Sequence, residues 1–151
     1  MALNVKNKGR KGEQDVAKII NDIYEDLYIE FGVNIDLSRP TCQRNQNQTA
    51  VGGCDLIGTC GYAIEVKRQE TLNINTWWDQ CVKSADILKK IPVLIYRQSR
   101  KQWRVVLITC NHKMFDSEEK FYVRSDISLD DFKKIFKSHA INYYKIHNSF
   151  N

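Results

Sequence analysis

The chain lacks any apolar run approaching the ~20 residues that cross a bilayer, and no basic flank followed by a long apolar stretch opens it. Neither a membrane span nor a secretory leader is expected, and the chain reads as a soluble, cytoplasmic protein. Paired cysteines are missing too. Cys42, Cys54, Cys60, Cys81 and Cys110 are odd in number and never spaced C-x-x-C, which argues against a disulfide framework or a zinc knuckle and predicts free thiols. Cys110 and His112 make half of a metal site, but no second Cys/His pair stands near enough to complete a tetrahedron. Internal repeats, Pro/Gly/Ser linkers and shifts in composition are absent as well, so one domain over residues 1–151 is expected.

What is present suffices for an ordinary core: 151 residues, 42% hydrophobic and 11% aromatic. Twenty-three Lys and Arg against eighteen Asp and Glu leave a net charge of +5, a mild bias that suits a polyanionic partner without requiring one. The excess is uneven, with clusters at residues 6–11, at Lys67-Arg68 and over residues 97–104. Any one cluster reads equally as a solvated face.

Apolar positions Val16, Ile19, Ile20, Ile23 and Leu27 recur at helical spacing and predict a helix from residue 12 to about 31, closed by Gly32. A short strand over 33–37 and a polar, mobile loop over 38–53 follow. Residues 54–59 and 62–67, separated only by Cys60-Gly61, read as an antiparallel hairpin. A second helix, capped by Asn75 or Thr76, is expected from Trp77 to about Lys90, with Trp77, Cys81, Ala85 and Leu88 on one face and Pro92 at its end. Strands over 93–96 and 103–108 complete an α-β-β-β-α-β-β order. Beyond Cys110, residues 120–124 look like a strand, and Ser128-Leu-Asp-Asp131 has the form of a capping box before a late helix. The purpose of that helix is not legible. Tyr143, Tyr144 and Phe150 suit core, a dimer contact or a stacking surface for bases.

The chemistry concentrates in Tyr62-Ala-Ile-Glu-Val-Lys67. The strand period of two places Glu65 and Lys67 on one face and Tyr62, Ile64 and Val66 on the other. The apolar flanks point to a central strand, where unpaired charges are costly to desolvate. Asp55 opens the neighbouring strand, and a tight hairpin brings its carboxylate towards Glu65. Two converging carboxylates repel unless a cation lies between them, and such hard oxygen donors suit Mg²⁺ or Mn²⁺ better than zinc. A plain Glu65–Lys67 salt bridge on an exposed face explains E-x-K alone equally well. Glu13 falls on the inward stripe of the first helix, where it serves either the helix dipole or a metal shell. Gln80 lies beside the buried stripe of the second helix, within reach of the same site or simply at its edge.

Taken in order on this frame, Gly12-Glu13, Gly53-Cys54-Asp55, Glu65-Val66-Lys67 and Gln80 resemble the PD-(D/E)xK nuclease superfamily. The opening Lys8-Gly-Arg-Lys-Gly-Glu13 and Trp77-Trp-Asp-Gln80 are similar to its Holliday-junction resolvases from archaea and phages, over roughly residues 8–108. The proline of the family name is absent, with Cys54 before Asp55, and residues 110–151 form an extension to which the resemblance assigns no role.

The resemblance implies a restriction-endonuclease-like α/β core (α-β-β-β-α-β), with a mixed central sheet flanked by helices. It further implies that Asp55, Glu65 and the Val66 carbonyl hold Mg²⁺, for which Mn²⁺ substitutes, with Glu13 joining them. Lys67 would face the attacking hydroxide and Gln80 would position water or phosphate. Lys8, Arg10 and Lys11, read as preceding the first helix, together with Arg44 and Arg68, would contact DNA phosphates. The implied activity is Mg²⁺-dependent resolution of branched DNA, above all four-way junctions, by a homodimer engaged in phage DNA recombination. Alternatives are a superfamily nuclease acting on duplex or flap DNA, and a non-catalytic DNA-binding module.

Overall fold

The computed structural model describes residues 2–47, 53–112 and 120–148. Along the chain run α1 (Ala2–Phe31), β1 (Gln43–Arg44), β2 (Leu56–Ile57), β3 (Tyr62–Arg68), α2 (Ile74–Leu88), β4 (Ile91–Arg97), β5 (Arg104–His112), β6 (Lys120–Ser128) and α3 (Leu129–Asn148). The four longer strands form a mixed sheet in the order β3-β4-β5-β6. β3 and β4 are parallel and joined through α2; the remaining pairs are antiparallel. This is the expected restriction-endonuclease-like core of a sheet flanked by helices, extended by β6 and α3. Among the described residues no helix is long and apolar enough to cross a membrane.

Helices cover both sides of the sheet because β4 is apolar on both: Val93 and Leu94, then Ile95 and Tyr96, are all buried. Val93 and Ile95 meet α1 and α3 through Val16, Ile20, Leu27, Phe132 and Phe136. Leu94 and Tyr96 meet α2 through Trp77, Trp78 and Cys81. Each fully buried large aliphatic or aromatic side chain here contributes about 1.5–3 kcal/mol of transfer free energy.

Several expectations change. α1 begins at Ala2, so Lys8, Arg10 and Lys11 lie inside a helix rather than ahead of one, and no helix amino end is offered at their positions. Helical spacing supports this stretch through the Lys11–Asp15 pair at 2.9 Å, and Gly9 faces open space. Residues 33–37 form no strand; Ile35 is nonetheless buried in the core, and Asp36 accepts the Ser38 N–H in a turn.

The strand expected over 54–59 shrinks to β2, which pairs with β1, itself inside the polar segment read as loop. The tight turn is nevertheless present. Cys60 and Gly61 both have positive φ, the combination that matches hairpin twist, and the Tyr62 N–H bonds to the Thr59 carbonyl at 3.1 Å. β3 is an edge strand of the sheet, not a central one; the doubly buried centre is β4.

α2 starts at Ile74 after Asn73, with no side-chain cap, in place of Asn75 or Thr76. Trp78 joins Trp77, Cys81 and Ala85 among its buried residues, while Leu88 is half-buried. The Ser128 half of the expected capping box forms, its hydroxyl accepting the Asp131 N–H at 3.1 Å. Tyr143 and Tyr144 pack against the core, and Phe150 lies outside the described residues, as do residues 48–52. Four cysteines are buried and Cys110 is exposed, all free.

Candidate active site

Asp55 reaches the outer edge of β3 because the turn at Cys60-Gly61 folds its segment back along that strand. Its N–H bonds to the Ile64 carbonyl at 3.0 Å, and its Oδ2 accepts the Val66 N–H at 2.7 Å. Asn45, next to β1, braces it from behind: the Asn45 N–H bonds to the Asp55 carbonyl at 2.8 Å, and its side-chain amide to the Cys54 carbonyl at 2.9 Å. A residue's N–H and C=O leave a strand on the same side. The Val66 carbonyl is therefore turned towards the edge where Asp55 sits.

Glu65, buried at 8% exposure, shares a side-chain hydrogen bond with Asp55. Burial, then the charge of Asp55, pushes the Glu65 carboxyl up to about 8, only partly offset by Lys67; burial raises Asp55 as well. Both carboxyls of the pair are thus pushed towards their protonated forms. Lys67, on the same face, has its Nζ 3.7 Å from Glu65 Oε2. Glu13 is also 8% exposed, and its charge acts on Asp55. Its carboxylate is ion-paired with Arg44 Nε. Among the described residues no three acid, histidine or cysteine side chains already form a metal shell.

Raised acid pKa values set a pH dependence. Between the ordinary value of 4.5 and about 8 the folded protein binds more protons at Glu65 than the unfolded chain does. Stability of the metal-free protein is therefore expected to fall as pH rises through that window. Urea melts in EDTA at pH 5 and pH 8.5 measure it: the midpoint drops at the higher pH, and Glu65→Gln flattens the difference.

The structure thus brings together Asp55, Glu65, Lys67 and Glu13, four of the residues singled out from sequence. Gln80 is exposed on α2, beside the buried Trp77 and Cys81. Lys8 is ion-paired with Glu70 across the outer side of the fold. With Lys11 and Arg68 it lines an open groove of about 540 Å³. Arg68 and Arg97 are register partners across the parallel β3–β4 pair. The Nε of each is buried without a hydrogen-bond partner among the described residues. Arg97 stacks over Trp103 at 4.5 Å and reaches Asp15 at 3.5 Å.

The bracing role of Asn45 and the ion pair of Arg44 with Glu13 have no signal in the sequence. Asn45 was one amide among several in a polar run, and Arg44 was read only as a phosphate contact. The nine positions that separate Asn45 from Asp55, and the separation of 31 between Glu13 and Arg44, carry no periodic signal that pairs them.

A family model described as "phage putative PDDEXK endonuclease" matches residues 4–151. No curated protein matches the chain. Among solved structures, Archaeoglobus fulgidus Hjc, a Holliday junction resolvase from an archaeal hyperthermophile, is 16% identical. That match covers 74% of this chain and 96% of that one at a TM-score of 0.38.

Proposed function

The chain belongs to this phage PD-(D/E)xK endonuclease family, and from that premise we propose that it is a divalent-metal-dependent, structure-selective DNA endonuclease that resolves branched DNA, above all four-way junctions. The observation that carries the reading is the Asp55–Glu65 carboxyl pair at the outer edge of β3, with Lys67 on the same face. Two buried acids that need a shared proton are an environment in which a hard cation can replace that proton. The donor set fits: Asp55, Glu65 and the Val66 carbonyl would hold Mg²⁺, or Mn²⁺ in its place, and Glu13 would complete the set. Such a cation, when bound, lowers the pKa of a ligated water and offsets charge growing on the phosphate.

The chain's own groups do the rest. Asp55, fixed through its backbone and the Val66 N–H, keeps its carboxylate aimed at the edge. The Lys67 ammonium orients and stabilises the attacking hydroxide. Gln80, exposed one helix away, would meet the substrate rather than the buried acids. Lys8, Arg10, Lys11, Arg44 and Arg68 would bind phosphates, mostly without regard to sequence and increasingly weakly as salt rises. Arg68, which lines the groove with Lys8 and Lys11 and whose Nε has no hydrogen-bond partner among the described residues, suits an anionic partner there. A four-way junction must be cut on two strands, which calls for a symmetric homodimer. Residues 1–151 act in this reading as one nuclease domain, α3 included, because its Phe132 and Phe136 share a core cluster with β3.

The test is incubation of the full chain with a labelled immobile junction, a flap, a linear duplex and a single strand, in Mg²⁺, Mn²⁺ or EDTA. Paired nicks on the junction alone, lost in EDTA, are expected. Equal cutting of duplex and flap would move the assignment to a general nuclease of the superfamily, and binding without cutting under any divalent ion to a DNA-binding module.

A further inference from the structure

Glu13 poses a problem that the proposed site leaves open. It lies close enough for its charge to act on Asp55, yet its carboxylate is engaged by Arg44. Arg44 is not a stray surface residue. It belongs to β1, opposite Leu56 of β2, and the next residue, Asn45, is the one that braces Asp55. Arg44 is therefore held, half-buried, on the carboxylate whose charge acts on Asp55, one residue from the asparagine that braces that acid.

The Glu13–Arg44 pair also opens onto an open groove of about 340 Å³ that Lys6, Gly9 and Arg10 of α1 line with it. Lys6, Arg10 and Glu13 fall on one helix face by their spacing of four and three. Neither Lys6 nor Arg10 has an ion-pair partner among the described residues. The groove is thus lined by two uncommitted cations and one committed to a carboxylate. A DNA phosphate entering it would meet Lys6 and Arg10 and offer the Arg44 guanidinium a second anionic partner.

We propose that Arg44 is a substrate-operated latch: it holds Glu13 in the DNA-free protein and transfers to a backbone phosphate in the Lys6–Arg10 groove, releasing Glu13 to the divalent cation at Asp55 and Glu65. The inference rests on the nuclease reading for the identity of the anion and of the cation. It makes Arg44 a positioning residue, acting on the metal through Glu13. Its consequence is reciprocal: phosphate binding strengthens metal binding, and metal binding strengthens DNA binding by the same factor. A nuclease built this way completes its metal shell only when substrate is seated.

The test uses Mn²⁺ as the probe, with free ion followed by electron paramagnetic resonance, on the full chain without DNA. Arg44→Met is expected to bind Mn²⁺ at least about fivefold more tightly than the parent, within the usual range of coupling between sites. The gain must vanish when Glu13→Gln is added, because the latch acts through that carboxylate. Arg44→Lys, which retains the charge, should keep the weak DNA-free affinity.

A second arm adds the junction to protein carrying Lys67→Met, so that the DNA stays intact, with ion bound by DNA alone subtracted. Mn²⁺ affinity should rise with DNA when Arg44 is present and be independent of DNA in Arg44→Met. Unchanged or weaker Mn²⁺ binding by Arg44→Met overturns the latch, as does a gain that survives Glu13→Gln, which would be plain removal of a positive charge. If Arg44→Met fails to fold, absence of any DNA effect on the Lys67→Met protein overturns it alone. Failure of all variants to bind DNA would instead remove the nuclease reading, and the DNA-free comparison would still decide whether Arg44 restrains Glu13.

Discussion

Lys67→Met is expected to slow phosphodiester cleavage by about 10²–10³-fold, the usual cost of deleting a preorganised group that stabilises charge developing in a transition state. DNA affinity should barely change, since one ammonium beside the acids adds little to a binding surface that spreads over Lys8, Arg10, Lys11 and Arg68. The competing account is that Lys67 only bridges Glu65 at 3.7 Å. A pair with one partner a quarter exposed is worth up to about 1 kcal/mol of stability, and on that account the rate would survive while the urea midpoint fell. Glu65→Gln separates the two contributions from the other side. Burial pushes both carboxyls of the pair up, and the amide of Glu65→Gln keeps a donor for the hydrogen bond to Asp55 without a second charge, so stability should be retained. The charge that would receive a cation is gone, and cleavage should be lost with it. Cleavage kinetics and urea melts on the same two variants check both expectations.

The residues that converge were legible because they sit on periodic elements or beside a readable turn. Strand alternation put Glu65 and Lys67 on one face, the Cys60-Gly61 turn folded Asp55 back to them, and the helical stripe through Val16, Ile20 and Leu27 carried Glu13 inward. The position of β3 was misread for a physical reason. Its apolar face satisfied the pattern of an inner strand, but its outer edge is covered by the Asp55 segment, which is not a strand ladder and left no periodic trace. Arg44 was invisible as the partner of Glu13 because a two-residue strand has no period to read. The start of α1 was misplaced because polar residues before Gly12 carry no apolar stripe, although nothing in them opposes a helix. Gln80 is exposed on α2, at the edge of a face where helical spacing constrains a residue too loosely to aim its side chain.

Phe136→Ala is expected to destabilise the protein by about 3–5 kcal/mol, a large share of the ~5–15 kcal/mol that holds a typical domain folded. Phe136 is fully buried on α3, and its ring meets those of Tyr24 at 5.8 Å, Tyr62 at 5.9 Å and Phe132 at 5.9 Å. The purpose of this helix is not legible from sequence alone; these contacts make it a wall of the main core. They also tie it to the acids. Tyr62 opens β3, three residues before Glu65, and the Tyr24 hydroxyl donates to the Gly58 carbonyl at 2.7 Å beside the turn that returns Asp55 to the strand. His139 of α3 lies 2.6 Å from the Cys60 carbonyl in that same turn. A cavity at Phe136 therefore loosens the support of both carboxylates, and Mn²⁺ affinity should weaken in step with the urea midpoint. Phe136→Leu, which refills most of the space, should recover much of both. If the midpoint fell while metal affinity held, the turn would be braced by β1 and β2 alone, and α3 would stabilise the fold without positioning the site.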